Sequence, residues 1–428
     1  MKNIEVPALA RVEGEGGLYI GLENGQAVEI RLDIYEPPRF FEGFLKDRFL
    51  QEVPDITARI CGICPVAYQM SAAYALENAL GVKISPQARS LRRLMYCGEY
   101  IESHALHVYM LQAPDLLGKQ SALELAADAP EVVKTALRLK KIGNELLKAI
   151  GGRSVHPVNV CVGGFYSWPE AKALKALLPD LEWGLNAAID TVKLGLTLPF
   201  PDLEIDYEFV ALHHPDEYGV IEGDVISSNG RTLSIAEYEN GYIEEHVRHS
   251  NALHSHTVDS NTYMVGPLAR VNLNHEQLMP KAKQVLQEFG VQLPIRNPYK
   301  ALLARAIELV HFYEEAIKLI NEYKPTGPAH VELKLKAGEG SGATEAPRGL
   351  LYHRYKIDAN GMIQFAKITP PTAQNLPRIE ADLMALTPKI ISLPHEEATL
   401  TAEHLVRSYD PCISCATHFL TLKVEEKK

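Results

Sequence analysis

The chain has 428 residues, 46% hydrophobic and 23% charged, an ordinary balance for a globular protein with a large core. Its 43 basic and 54 acidic residues leave a net charge of −11, which supplies no basic footprint for nucleic acid and suits solubility or a basic partner patch. No apolar run approaches the roughly 18 residues that span a bilayer, and the start, Met1 to Pro7, has no apolar core of signal-peptide length, so a cytoplasmic chain without a membrane span is expected.

Residues 4–35 alternate in polarity around Gly14, Gly16, Gly17 and Gly25, which predicts short antiparallel strands. Helical spacing takes over from Pro65 to Leu80 and from Pro86 to about Leu111, each behind a proline suited to a first turn. Glu131 to Ile150 predicts a third helix, stopped by Gly151-Gly152, and Pro169 to about Leu198 a fourth. Residues 200–275 are mixed, with short strand-like pieces, and Tyr299 to Tyr323 is helical again. Gly338-Glu339-Gly340-Ser341-Gly342 reads as a flexible connection. Arg348–Ile357 and Met362–Ile368 read as a hairpin around Asp358-Ala359-Asn360-Gly361, and Glu396–Tyr409 as a last helix. The whole predicts a helix-rich α+β fold.

Four of the six cysteines form two Cys-x-x-Cys pairs: Arg59-Ile60-Cys61-Gly62-Ile63-Cys64, and Asp410-Pro411-Cys412-Ile413-Ser414-Cys415-Ala416-Thr417-His418. In a reducing compartment such pairs bind metal or do redox chemistry more often than they form staples. Four converging thiolates make a soft site. The spacing admits structural zinc, a four-cysteine iron–sulfur cluster or another metal centre, and a single pair admits a dithiol. Small zinc modules separate their pairs by tens of residues, not hundreds. Arg59 and Asp410 directly precede the pairs, which structural zinc does not need. Such charges suggest charge tuning or proton handling.

With these flanks the chain resembles the large, catalytic subunit of NiFe hydrogenases. Arg11-Val12-Glu13-Gly14, Arg39-Phe40-Phe41-Glu42, Ser103-His104-Ala105-Leu106-His107, Gly151-Gly152-Arg153-Ser154-Val155-His156-Pro157, Glu345-Ala346-Pro347-Arg348-Gly349 and Pro371-Thr372-Ala373-Gln374-Asn375 resemble that family's segments in the same order. The resemblance implies one domain over 1–428, a central helical bundle carrying the metal site with small antiparallel sheets at its periphery. Within it, 1–40 is an N-terminal β meander, 41–200 a helical core with the first pair, 201–300 a mixed α/β insertion, and 301–418 the part with the second pair. Residues 419–428 are expected to be a cleavable extension.

The resemblance also implies a nickel–iron centre whose iron carries carbon monoxide and cyanide. Cys64 and Cys415 would bridge the metals, and Cys61 and Cys412 would bind nickel terminally. Cys412 would be the first base in hydrogen cleavage and Glu13 the proton relay, where an ordinary reading is a surface carboxylate in a turn. Arg348 would lie over the metals beside Pro347, held by Asp410, and Thr372 would donate to a cyanide; a salt bridge and a loop hydroxyl are the ordinary readings. Glu42, His418 and a carbonyl near Ile368 would hold a magnesium-type ion. His104, His107 and His156 read as satisfied core histidines, with support of the sulfurs as the alternative. Cys97 and Cys161 read as buried apolar residues.

Tyr68 stands where many family members have histidine, and it cannot serve as a base near neutral pH. Ser103 and the segment Pro157 to Phe165 look more like the cytosolic, NAD(P)-linked branch. Two free cysteines cannot hold a cluster, so iron–sulfur clusters are expected on a small partner subunit only. The resemblance further implies flavin- or NAD(P)-binding and ferredoxin-like subunits, a maturation protease and nickel-insertion proteins. No glycine-rich dinucleotide fingerprint appears in this chain. Competing readings are a hydrogenase-like subunit of an ion-pumping complex, opposed by the four retained cysteines, and a zinc-stabilised structural protein, which has no use for Glu13, Arg348 and Glu42 together.

Overall fold

The computed structural model describes residues 3–417. Its long helices are α1 (Pro65–Leu80), α2 (Pro86–Leu106), α3 (Pro130–Gly151), α4 (Leu178–Thr197), α5 (Ala301–Glu322), α6 (Pro371–Ile390) and α7 (His395–Ser408). Helix α2 packs on α3 and α5, and α5 on α4, which makes a central bundle. Local chemistry sets the ends. Ser85 Oγ accepts the Ala88 N–H at 3.1 Å to start α2. Gly81 and Gly152 close α1 and α3 in the left-handed region. The start of α1 has no cap of its own; buried Glu99 of α2 accepts the Val66 and Ala67 N–H groups at 2.6 and 3.1 Å. Past Leu106, α2 runs on as a π-helical turn, His107–Gln112.

Small antiparallel sheets surround the bundle. Strands β1 (Ile4–Val6), β2 (Gly16–Glu23) and β3 (Gln26–Ile34) form the N-terminal one. Strands β4 (Tyr242–His246) and β5 (Leu253–Thr257) form a hairpin against α6. Strands β6 (Gly338–Ala346), β7 (Gly349–Ile357) and β8 (Ile363–Thr369) form a sheet lying on α1. One large apolar cluster joins the bundle, α1 and all four paired cysteines. A second joins the N-terminal sheet to α6 and α7. Among the described residues no helix is long and apolar enough to cross a membrane.

Two expectations fail. The glycine-rich stretch 338–342 is no flexible connection but part of β6. A Cβ at Gly340 would lie 2.2 Å from the Ala75 carbonyl oxygen, and one at Gly342 2.6 Å from that of Ser71. These glycines let strand and helix backbones touch. The helix expected over 169–198 is two, Ala171–Lys175 and α4. Pro179 has no N–H to give the preceding turn, so the chain restarts its helix there.

Candidate metal centre

Cys61 and Cys64 lie between the short helix Val53–Ala58 and α1; Cys412 and Cys415 lie on the turn that follows α7. All four side chains are buried and none is in a disulfide, and their sulfurs lie within 4.8 Å of one another. Sγ–Sγ separations are 2.8 Å for Cys61–Cys64, 2.7 Å for Cys412–Cys415 and 3.6 Å for Cys61–Cys412. Sulfurs around a tetrahedral ion with bonds near 2.3 Å stand about 3.8 Å apart, so the Cys61–Cys412 separation is near that value and the two within-pair separations are about 1 Å shorter.

Arg39 fastens the two pairs together, and Glu13 and Thr372 hold the second. Arg39 donates to the carbonyls of Ile60 and Ser414, one beside each pair, and its own N–H reaches the Thr417 carbonyl at 2.7 Å. Glu13 forms a bridge with the second pair: its carbonyl accepts the Ile413 N–H at 2.9 Å, and its Oε2 accepts the Ser414 N–H and the Cys412 thiol, each at 3.1 Å. Arg11, two residues earlier, anchors that segment to Leu111 and Asp115. Thr372, in the first turn of α6, accepts the Cys412 N–H at 3.0 Å.

Arg348 occupies the two-residue turn between β6 and β7. Its Nε reaches the Asp410 carbonyl at 2.8 Å and its Nη2 the Asp410 carboxylate at 3.0 Å. Both residues are buried. Asp410 adopts φ 56°, in the left-handed region. Burial opposes charge on Asp410, but Arg348, His107 and Arg305 outweigh it and hold its carboxyl below the usual range. Arg348 Nη1 meets no hydrogen-bond partner among the described residues. Burial likewise works against ionisation of the thiols. At Cys61 the hydrogen bonds from Cys412, Cys415 and Cys64, with the charge of Arg348, reverse that and bring its pKa well below the ordinary value. At Cys64, Cys412 and Cys415 the balance goes upward. Burial and the charge at Cys415 raise the Tyr68 phenol well above its usual value, so it remains protonated beside the sulfurs.

The structure brings Glu13, Arg348, Asp410 and Thr372 onto the cysteines. Pro347 is adjacent, its carbonyl held by Arg270 Nη2 at 2.9 Å. Glu42 Oε1 accepts the Ile368 N–H at 2.7 Å, so these two also meet. His418 and the extension 419–428 lie outside the described residues. Arg59 departs from expectation. It is exposed and pairs with Asp55 at 3.1 Å, because it ends the Val53–Ala58 helix and reaches back one turn. His104 and His107 are core histidines, bonded to Glu308 at 2.8 Å and to the Arg407 carbonyl at 2.9 Å. His156 is not: it is half-buried and meets the Arg59 guanidinium at 3.1 Å. Cys97 and Cys161 are buried as expected.

Sequence reasoning gave no role to Arg39, Glu99 or Arg305. Buried Arg305 donates to the Ser408 and Tyr409 carbonyls at 3.1 and 3.4 Å, and burial lowers its pKa to about 10. One signal was available: Arg305 and Glu308 interrupt the otherwise apolar first half of α5, residues 301–310.

Four buried sulfurs backed by an arginine–carboxylate pair define a thiolate-ligated metalloenzyme. The family model for nickel-dependent hydrogenase matches residues 39–153 and 234–418. The chain belongs to that family, and its four-cysteine centre makes it a catalytic subunit. Sulfhydrogenase 1 subunit alpha of Pyrococcus furiosus is 36% identical, over 99% of this chain and 100% of its own. Sulfhydrogenase 2 subunit alpha of the same organism is 34% identical, over 98% of this chain and 100% of its own. The crystal structure of an NAD+-reducing NiFe-hydrogenase in the H2-reduced state matches with a TM-score of 0.88 at 28% identity, over 98% of this chain and 100% of that one. The donor set fits nickel and iron: four soft sulfurs, and a buried guanidinium nitrogen still free to donate.

Proposed function

We propose that the chain cleaves hydrogen heterolytically, with Cys412 and Glu13 handling the proton and Arg348 and Thr372 holding the diatomic ligands of the iron. The contact that carries this reading is Cys412 Sγ to Glu13 Oε2 at 3.1 Å, a thiol next to a half-buried carboxylate. When bound, the metal pair supplies the electron-accepting half of the cleavage. Cys412 takes the proton, and Glu13 receives it and can turn toward solvent. The Thr372 hydroxyl already accepts the Cys412 N–H, so its own proton remains to donate to a cyanide. Arg348 Nη1 is the second donor, aimed by Asp410. Cys61, Cys64, Cys412 and Cys415 would hold the nickel–iron pair, Cys61 and Cys412 terminally and Cys64 and Cys415 as bridges, and Cys412 is the one that Glu13 reaches. Glu42 and the Ile368 backbone, with His418, form the proposed magnesium-type site.

Electrons leave through a small iron–sulfur subunit. Cys97 and Cys161 are buried and widely separated in sequence, which suits no cluster in this chain. The likeness to an NAD+-reducing enzyme supports NAD(P) as the final carrier, through flavin-binding and ferredoxin-like subunits in a cytoplasmic complex. Nickel-insertion proteins and a protease would complete the centre.

Metal analysis of the purified complex tests this. Nickel and iron are expected, with infrared bands of metal-bound carbon monoxide and cyanide; zinc alone without those bands overturns the reading. Cys412→Ser should abolish hydrogen activity, and normal turnover would refute the ligand assignment.

A further inference from the structure

A second cluster of ligating side chains lies apart from the cysteines. His249 sits in the loop between β4 and β5, His254 on β5, and Glu380 on α6. One ligand atom from each lies within 4.8 Å of the others. Glu380 Oε1 already accepts the Leu32 N–H of β3 at 2.8 Å and meets His249 Nε2 at 2.9 Å. Glu380 Oε2 faces His254 Nδ1 at 3.9 Å, beyond hydrogen-bond reach. The His254 side chain is only 3% exposed, and its Nε2 meets no hydrogen-bond partner among the described residues. Nδ1, not Nε2, is the nitrogen that faces Glu380.

We propose that His249, His254 and Glu380 form a second metal site, for a zinc-class divalent ion held by two imidazoles and one carboxylate. Ligand atoms around a tetrahedral ion with bonds of about 2.05 Å stand about 3.3 Å apart. His249 Nε2 stands 2.9 Å from Glu380 Oε1 and His254 Nδ1 3.9 Å from Glu380 Oε2, distances to the two oxygens of one carboxylate that lie on either side of that edge, so side-chain movements are needed to close the shell on one ion. Two nitrogens and one oxygen suit zinc better than magnesium or calcium, which take oxygen shells. The His249 and Glu380 side chains are 23% and 17% exposed, which leaves a path for entry and a fourth position for water. The ion would join three parts of the chain: β3 through the Leu32 N–H, the β4–β5 hairpin, and α6. Glu380 lies two turns beyond Thr372, about 12 Å along the helix, so the site braces the helix that positions Cys412 without touching its chemistry.

The complex, with nickel and iron loaded, is equilibrated with zinc, desalted and analysed for metals and by zinc absorption-edge spectroscopy. One zinc per chain is expected, in a nitrogen/oxygen shell near 2.0–2.1 Å. His254→Gln and Glu380→Gln should each lose that zinc and keep their nickel. No zinc in the parent complex, a purely sulfur shell, or full zinc in both variants overturns the proposal. The spectrum of the parent complex decides alone if the variants do not fold.

Discussion

Glu13 meets the second cysteine pair through backbone and carboxylate, so a structural role and a proton-relay role must be separated. Glu13→Gln keeps an oxygen for the Ser414 N–H but cannot pass a proton. Hydrogen oxidation should fall by about 10²-fold or more, while nickel content stays at the parent level; loss of nickel would make Glu13 a structural clasp. Thr372→Val tests positioning. It keeps the shape but leaves the buried Cys412 N–H unpaired, at a cost of about 1–3 kcal/mol. Nickel occupancy should drop, and Thr372→Ser should restore it. Unchanged nickel content in the valine variant would remove Thr372 from the support of Cys412.

The site is held by elements more than by its own loops. Strand β6 touches α1 backbone to backbone, so a methyl at Gly340 must push the sheet that carries the Arg348 turn. Gly340→Ala should destabilise by about 1–3 kcal/mol, visible as a lower melting temperature of the complex; an unchanged melt would refute the close approach. The same contact explains one limit of reading the sequence. Glycines at 338, 340 and 342 signal a loop or a close approach equally well, and only α1, more than 250 residues away in sequence, decides which. Helix α6 stayed hidden because Pro377 and Pro388 lie inside it. Arg59 was misjudged because a flanking charge says nothing about direction until the end of the preceding helix is known. The cysteine pairs, Glu13, Arg348 and Asp410 were legible because their motifs are short and contiguous. Arg39 was visible as a motif, but its span from Ile60 to Ser414 exists only once both pairs meet.

Over the whole molecule, burial holds His104 near pKa 4 and His107 near pKa 3, below the usual 6.5. Between pH 6.5 and 4 the unfolded chain binds protons that the folded chain refuses. Each histidine therefore removes about 1.4 kcal/mol of stability per pH unit as pH falls through that window. Burial raises the Glu345 carboxyl to about 7 and lifts the Glu99, Glu102, Glu380 and Asp382 carboxyls as well, so these groups work in the opposite sense as pH falls toward 4.5. Glu345→Gln removes one of the groups that oppose the histidines, so between pH 7 and pH 5 the variant's melting temperature should lose more, or gain less, than the parent's; equal changes in the two contradict the raised Glu345 carboxyl.

Cys61 and Cys412 are separated by 351 residues. At about 5–20 residues per second of synthesis, the first pair waits roughly 20–70 s for the second. Throughout that interval it is a bare dithiol, open to oxidation or to capture by any thiol-seeking ion. The cage is therefore shaped by the timing of translation as well as by ligand geometry, and slowing the ribosome between the two pairs should lower the fraction of chains that hold the right metals.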